Sequence, residues 1–301
     1  MRVFAWFLGL IGVGLAAIAA FSYPLWLLLH PYFDFPFHRI GERAGMLALL
    51  VGFPALARHL RLNDRNSLGY GIPRRRFLAD SLLGLSLGVL SMAAVVLVLT
   101  SLGLLDWSSG GALSGGAAAK LVLARLSSGI AVALIEETFL RGAMLTGIQR
   151  EAGSLAAVIL TALVYAATHF FASFRIAAGQ VDAASGIRLL EGTLATFAHP
   201  GAIADAFTCL FAVGVILGAV RVATGNIAAC IGLHAGWVWV MLVTHGIAKP
   251  VADPSFGFLV SRFDGFIGWL ILAWTLPLGA GLYYLFTRRA AYVNGARRSS
   301  R

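Results

Sequence analysis

The chain has 301 residues, of which 59% are hydrophobic and only 12% charged, and its mean hydropathy is +0.85. Soluble domains run near half apolar and a quarter charged, so this composition excludes an ordinary soluble fold and points to a polytopic membrane protein. The net charge of +10 does not imply nucleic acid, because the arginines cluster between apolar runs and no DNA- or RNA-reading motif accompanies them.

A bilayer crossing needs about 20 largely apolar residues. Runs that meet or approach this predict an all-α bundle of about eight transmembrane helices: Phe4–Leu29, Ala44–Ala57, Phe77–Leu105, Ala119–Ile148, Ser154–Phe174, Asp205–Ala223, Asn226–Gly246 and Gly265–Phe286. The first begins like a signal peptide, with Arg2 and an Ala-rich stretch at Ala16–Ala20. Its apolar run continues through "PLWLLLH", which favours a retained span. The second run is short. In the third, Gly84 and Gly88 give a small-xxx-small face for close helix contact. Cys209 and Cys230 both lie in apolar runs, without disulfide-framework or zinc-knuckle spacing, and read as small buried hydrophobes.

Loop charges set the expected orientation. Arg58, Arg61, Arg65, Arg74, Arg75 and Arg76 follow the second span, Arg150 follows the fourth, and Arg288, Arg289, Arg297, Arg298 and Arg301 lie in the C-terminal tail. The alternating loops, such as "LDWSSGGALSGGAAA", lack this excess. The positive-inside rule then puts both termini in the cytoplasm, in a plasma (inner) membrane, with residues 287–301 as a basic cytoplasmic tail. The longest non-spanning stretch, Arg175–Ala204, falls on the outer side as either a short amphipathic segment or a lid. No repeat or second domain is evident, so the expectation is one transmembrane domain over 1–301.

Ionisable groups inside transmembrane helices are costly and usually face the bundle interior. The stretch "ALIEETFLRG" carries Glu136, Glu137 and Arg141. Glu137 and Arg141 are four apart, share a face and pair structurally. Glu136 is rotated about 100° away and has no local cation, which makes it the anomalous carboxylate. His169 in "VYAATHFF" and His234 in "IGLHAGWVW" are isolated imidazoles on apolar helices. Helical rise puts Glu136, His169 and His234 roughly 18, 24 and 12 Å from the cytoplasmic ends of their helices, so all three can meet near mid-bilayer. Together they form a water-activating set, with a carboxylate or imidazole as base and another imidazole steadying developing charge. They equally form a two-His, one-carboxylate set of the kind Zn²⁺ accepts. His245 lies about 16 Å further along its helix and reads as interfacial. Asn226 reads as a helix N-cap.

These residues carry a family resemblance. "EETFLR" (Glu136–Arg141) resembles the E-E-x-x-x-R motif of the CPBP family, the CAAX-protease and bacteriocin-processing intramembrane proteases that include the Rce1-type prenyl-protein proteases. "YAATH" (Tyr165–His169) is similar to the second motif, F-x-x-x-H, with Tyr for Phe, and "GNIAACIGLHAGWV" (Gly225–Val238) to the third. The resemblance covers roughly 119–246 as a catalytic core. It implies that Glu136 and His169 activate water, that His234 stabilises the oxyanion, and that Glu137 and Arg141 complete the first motif. It also implies a peptide or lipidated-protein substrate. Family members are described both as metal-dependent and as glutamate-type proteases, so zinc stays open as a cofactor. The family's asparagine, four residues after the third-motif histidine, falls on Val238, which cannot donate a hydrogen bond. Two other readings of the same residues are a non-catalytic scaffold or immunity-type member, and a proton- or metal-coupled transporter using Glu and His as relays.

Overall fold

A computed structural model of the chain describes residues 1–107, 114–172 and 174–299. Among these, the α-helices are α1 (Arg2–Leu29), α2 (Phe37–His59), α3 (Arg74–Ser101), α4 (Gly115–Glu137), α5 (Leu145–Thr168), α6 (Ser185–Ala195), α7 (Pro200–Thr224), α8 (Ala228–Ile247) and α9 (Trp269–Ser299). The strand pairing among the described residues is minimal: Leu105–Asp106 runs antiparallel to Lys249–Pro250 and ties together the ends of α3 and α8. Residues 108–113 of the expected Gly/Ser-rich loop lie outside the described residues. So do the side chains of Arg297, Arg298 and Arg301 in the expected basic tail.

Among the described residues seven helical stretches are long and apolar enough to cross a membrane, and one of them, Gly115–Phe171, is 57 residues long. A straight helix of that length would reach about 85 Å, nearly three times the roughly 30 Å hydrocarbon core. It is broken at Gly153, whose φ of 82° and ψ of 172° suit a residue without a Cβ. Arg141 and Tyr165 are equally far in sequence from Gly153 on its two sides, yet the Arg141 guanidinium lies over the Tyr165 ring at 4.5 Å. The chain therefore turns back on itself, and the seven stretches supply eight helical segments that can cross a bilayer. The architecture is that of an all-α polytopic membrane protein. Its surface agrees, since Leu82, Leu90 and Leu97 stand exposed along α3 while Phe7, Leu145, Ile148 and Phe170 fill the interior.

Several boundaries differ from the apolar runs, each for a physical reason. Helix α2 starts at Phe37 rather than Ala44, because its first turns carry His38, Arg39, Glu42 and Arg43, and a hydropathy run stops at charges that a helix does not. Helix α7 starts at Pro200, where proline suits a first turn that lacks internal hydrogen bonds. Within Arg175–Ala204 the chain forms the short helix α6, held so close to α1 that a Cβ on Gly186 would sit 2.1 Å from the Ala19 carbonyl oxygen. Helix α9 continues past Phe286 to Ser299.

The packing that matters most for the site is α3 against α8. A Cβ on Gly84 would lie 2.5 Å from the Ala229 carbonyl oxygen, and one on Gly88 2.5 Å from that of Leu233. From the other side, Gly232 and Gly236 meet the carbonyl oxygens of Ser81 and Leu85 just as closely, at 2.1 and 2.7 Å. Four glycines thus bring two backbones into contact, and His234 lies on α8 between two of them.

Candidate active site

The charge cluster of "ALIEETFLRG" sits where regular α-winding ends. Helix α4 stops at Glu137, and Thr138–Met144 winds as a π-helix before α5 begins. The wider winding changes the direction in which consecutive side chains leave the axis, and such segments recur at functional sites. Helix α4 buries only the narrow stripe Gly129, Ala133 and Glu137. Glu137 therefore points into the bundle, while Glu136 sits at the edge of that stripe with its side chain 34% exposed.

Glu137 and Arg141 form the ion pair that their spacing predicts, at 3.0 Å, with neither side chain exposed. Such a pair is tolerable without water only if its remaining capacity is met. Arg141 Nη2 donates to the Gly214 carbonyl at 3.3 Å and the guanidinium lies over Tyr165. His234 is hydrogen-bonded through Nδ1 to Glu137 Oε1 at 2.8 Å, from a position 97 residues further along the chain. Glu137 Oε2 and Arg141 Nε are buried and have no hydrogen-bond partner among the described residues.

This geometry assigns the two nitrogens of His234. With Nδ1 engaged by a carboxylate, Nε2 faces the other glutamate, 3.9 Å from Glu136 Oε2. That is too long for a hydrogen bond and close enough for both groups to act on one bound molecule. His169 is fixed differently: its Nδ1 donates to the Tyr165 carbonyl at 2.7 Å, as a helical i,i−4 contact, which leaves Nε2 with a free lone pair. Tyr165 joins the parts, with its ring 4.5 Å from that of His169 and 5.9 Å from that of His234.

The structure thus brings Glu136, Glu137, Arg141 and His234 into one cluster and connects His169 to it through Tyr165. Glu137 does more than the sequence suggested, since it anchors a histidine as well as an arginine. Tyr165 and the Gly214 carbonyl were missed as site components. The only sequence signal for Tyr165 was its place four residues before His169. His245 stays apart, against Phe266 at 5.5 Å. The N-cap of α8 is Ile227 rather than the expected Asn226, whose Oδ1 accepts the Ala228 N–H at 3.0 Å from one residue earlier. Val238 is one turn along α8 from His234 and supplies no donor.

Among the described residues no group of three His, Cys, Asp or Glu side chains is arranged to hold a metal ion. Glu136 and His234 approach one another at 3.9 Å, and with His169 they do not close into a three-ligand zinc site in this arrangement.

Neither the curated proteins nor the solved structures contain a match to the chain. Residues 118–240 match the family model described as type II CAAX prenyl endopeptidase Rce1-like. That segment holds Glu136, Glu137, Arg141, His169 and His234, and the match supports the resemblance of this part of the chain to the CPBP group of CAAX-protease-type membrane proteins.

Proposed function

We propose that the protein is an intramembrane endopeptidase that hydrolyses a peptide bond in or near the membrane with a water activated by Glu136. The observation that carries this reading is the docking of His234 on Glu137, which turns Nε2 toward Glu136 Oε2 at 3.9 Å. A partly exposed carboxylate then faces an oriented imidazole across the width of one reacting group. Glu136, with the free Nε2 of His169 as a second acceptor, holds the attacking water and takes its proton as the oxygen adds to the carbonyl carbon. Positioned bases of this kind contribute about 10²–10⁴ in rate. His234 in its charged form, steadied by the Glu137 carboxylate, presents Nε2–H to the carbonyl oxygen as it becomes an oxyanion. Glu136 returns the proton to the departing amine. A single oxyanion donor contributes about 10²–10³, and Val238 adds no second donor one turn from His234.

The substrate is a peptide or lipidated-protein segment whose scissile bond reaches the bilayer, in keeping with the prenyl endopeptidase description of the matching family. The arginine-rich loops support, through the positive-inside rule, an orientation with both termini in the cytoplasm and the bundle in the plasma (inner) membrane. The test is hydrolysis by the purified protein in nanodiscs, with farnesylated and unmodified peptides and with 1,10-phenanthroline. Cleavage should persist within roughly twofold under the chelator, because no step passes through a metal. Absence of cleavage of every membrane-associated peptide would favour the non-catalytic scaffold that Val238 suggests.

A further inference from the structure

Among the described residues, one buried arginine stands outside the cluster. Arg221, near the end of α7, is only 6% exposed, and no carboxylate lies within ion-pair distance of it among the described residues. Burying a guanidinium without a counter-charge is costly, so its hydrogen bonds carry the reason for its place. Nε donates to the backbone carbonyl of Arg141 at 3.0 Å, and Nη2 donates to Thr146 Oγ1 at 3.2 Å. The two acceptors bracket the second half of the π-helical segment Thr138–Met144.

The surroundings lock this contact in place. Thr146 Oγ1 itself donates to the Ser67 carbonyl at 2.8 Å, so the acceptor of Arg221 is fixed from the loop before α3. That loop lies on the π segment, where a Cβ on Gly142 would sit 2.8 Å from the Leu68 carbonyl oxygen. Gly69, at φ 81°, covers Arg221 and accepts the Ile227 N–H at 3.1 Å, joining the start of α8 to the same point. Loop, π segment, α7 and α8 therefore meet at one guanidinium.

We infer that Arg221 is a positioning residue that holds the π-wound backbone at Arg141, and through it the Glu137–His234 pair, in the geometry the proposed hydrolysis uses. The line of force is short. Arg221 fixes the Arg141 carbonyl, the Arg141 side chain holds Glu137, and Glu137 holds His234 with Nε2 toward Glu136. Lysine can reach one of the two acceptors but cannot span both, because it lacks the planar fork. The inference rests on the protease reading for its catalytic part, while the backbone part stands without it.

The test combines amide hydrogen exchange with kinetics on the full chain in nanodiscs, comparing wild type, Arg221→Met and Arg221→Lys. Arg221→Met should speed exchange about tenfold or more in the 138–146 stretch while leaving α1, α2 and α9 unchanged. It should lower kcat by roughly 10–100-fold with KM within about twofold, as a small misplacement of reacting groups does. Arg221→Lys should recover part of both effects. Unchanged exchange over 138–146 in Arg221→Met overturns the inference, as does equal loosening of all helices in both variants. If wild type cleaves no peptide but Arg221→Met loosens 138–146 selectively, the protease reading fails and the positioning of the segment by Arg221 is upheld.

Discussion

At the scale of the residue, two adjacent glutamates do different work. Glu137 is enclosed and shared between Arg141 and His234, whereas Glu136 is one-third exposed and faces His234 Nε2 without bonding to it. Removing one partner of a buried ion pair leaves the other charge uncompensated, which costs about 3–5 kcal/mol. Glu137→Ala should therefore lower the thermal midpoint strongly in detergent. The double variant Glu137→Ala/Arg141→Met should regain part of the loss, and a double variant no more stable than the single one would contradict the pairing. The Glu137–Arg141 pair was legible in the sequence because i,i+4 spacing is a local rule. The bond from His234 to Glu137 was not, because it joins positions 97 residues apart and depends on how α8 is docked. Arg221 was legible only as a charge inside "VGVILGAVRVAT", since its acceptors belong to another helix.

At the scale of the element, the close contact of α3 and α8 sets where His234 sits. Gly232→Ala would place a methyl 2.1 Å from the Ser81 carbonyl oxygen, forcing the helices apart, whereas Gly9 has nothing within 4 Å of its would-be Cβ. Overpacking of that kind costs about 1–3 kcal/mol, so Gly232→Ala should melt earlier and Gly9→Ala should not, as thermal unfolding of both variants will show. The loop before α9 offers a pH test. Asp264 accepts the N–H groups of Phe266 and Ile267, each at 2.9 Å, and burial pushes its carboxyl up to about 6. The folded protein thus keeps this proton up to about pH 6, while an unfolded chain loses it near pH 3.9. Its contribution is most favourable below the unfolded value and is lost as pH rises from about 4 through 6. Asp264→Asn keeps the acceptor oxygen and cannot ionise. It should melt above wild type at pH 7.5 and level with it at pH 4. A lower midpoint at pH 7.5 would tell against a buried charge. The eight helical segments were readable from apolar runs, but the ends of α2 and α6 were not, because polar residues in their first turns hide helix from a hydropathy reading.

At the scale of the whole molecule, the matched segment 118–240 holds the cluster, while α1 and α2 lie outside it and still touch the site region. Phe7 of α1 and Phe53 of α2 both pack on Phe139 of the π segment, at 5.2 and 5.5 Å. The proposed orientation follows from the arginine clusters and can be read directly. Cys209 and Cys230 are fully buried, so a single introduced cysteine reports against a silent background. In sealed inside-out vesicles, a membrane-impermeant maleimide should label Arg75→Cys and spare Gln180→Cys. The reverse pattern would invert the topology.

In the proposed hydrolysis Glu136, not Glu137, is the base. The most direct measurement is peptide hydrolysis by purified wild type, Glu136→Gln and Glu137→Gln in nanodiscs, each paired with a thermal melt. Glu136→Gln should keep its melting temperature and lose about 10²–10⁴ in kcat, while Glu137→Gln should lose stability as well as activity. Undiminished cleavage by well-folded Glu136→Gln would contradict that role for Glu136.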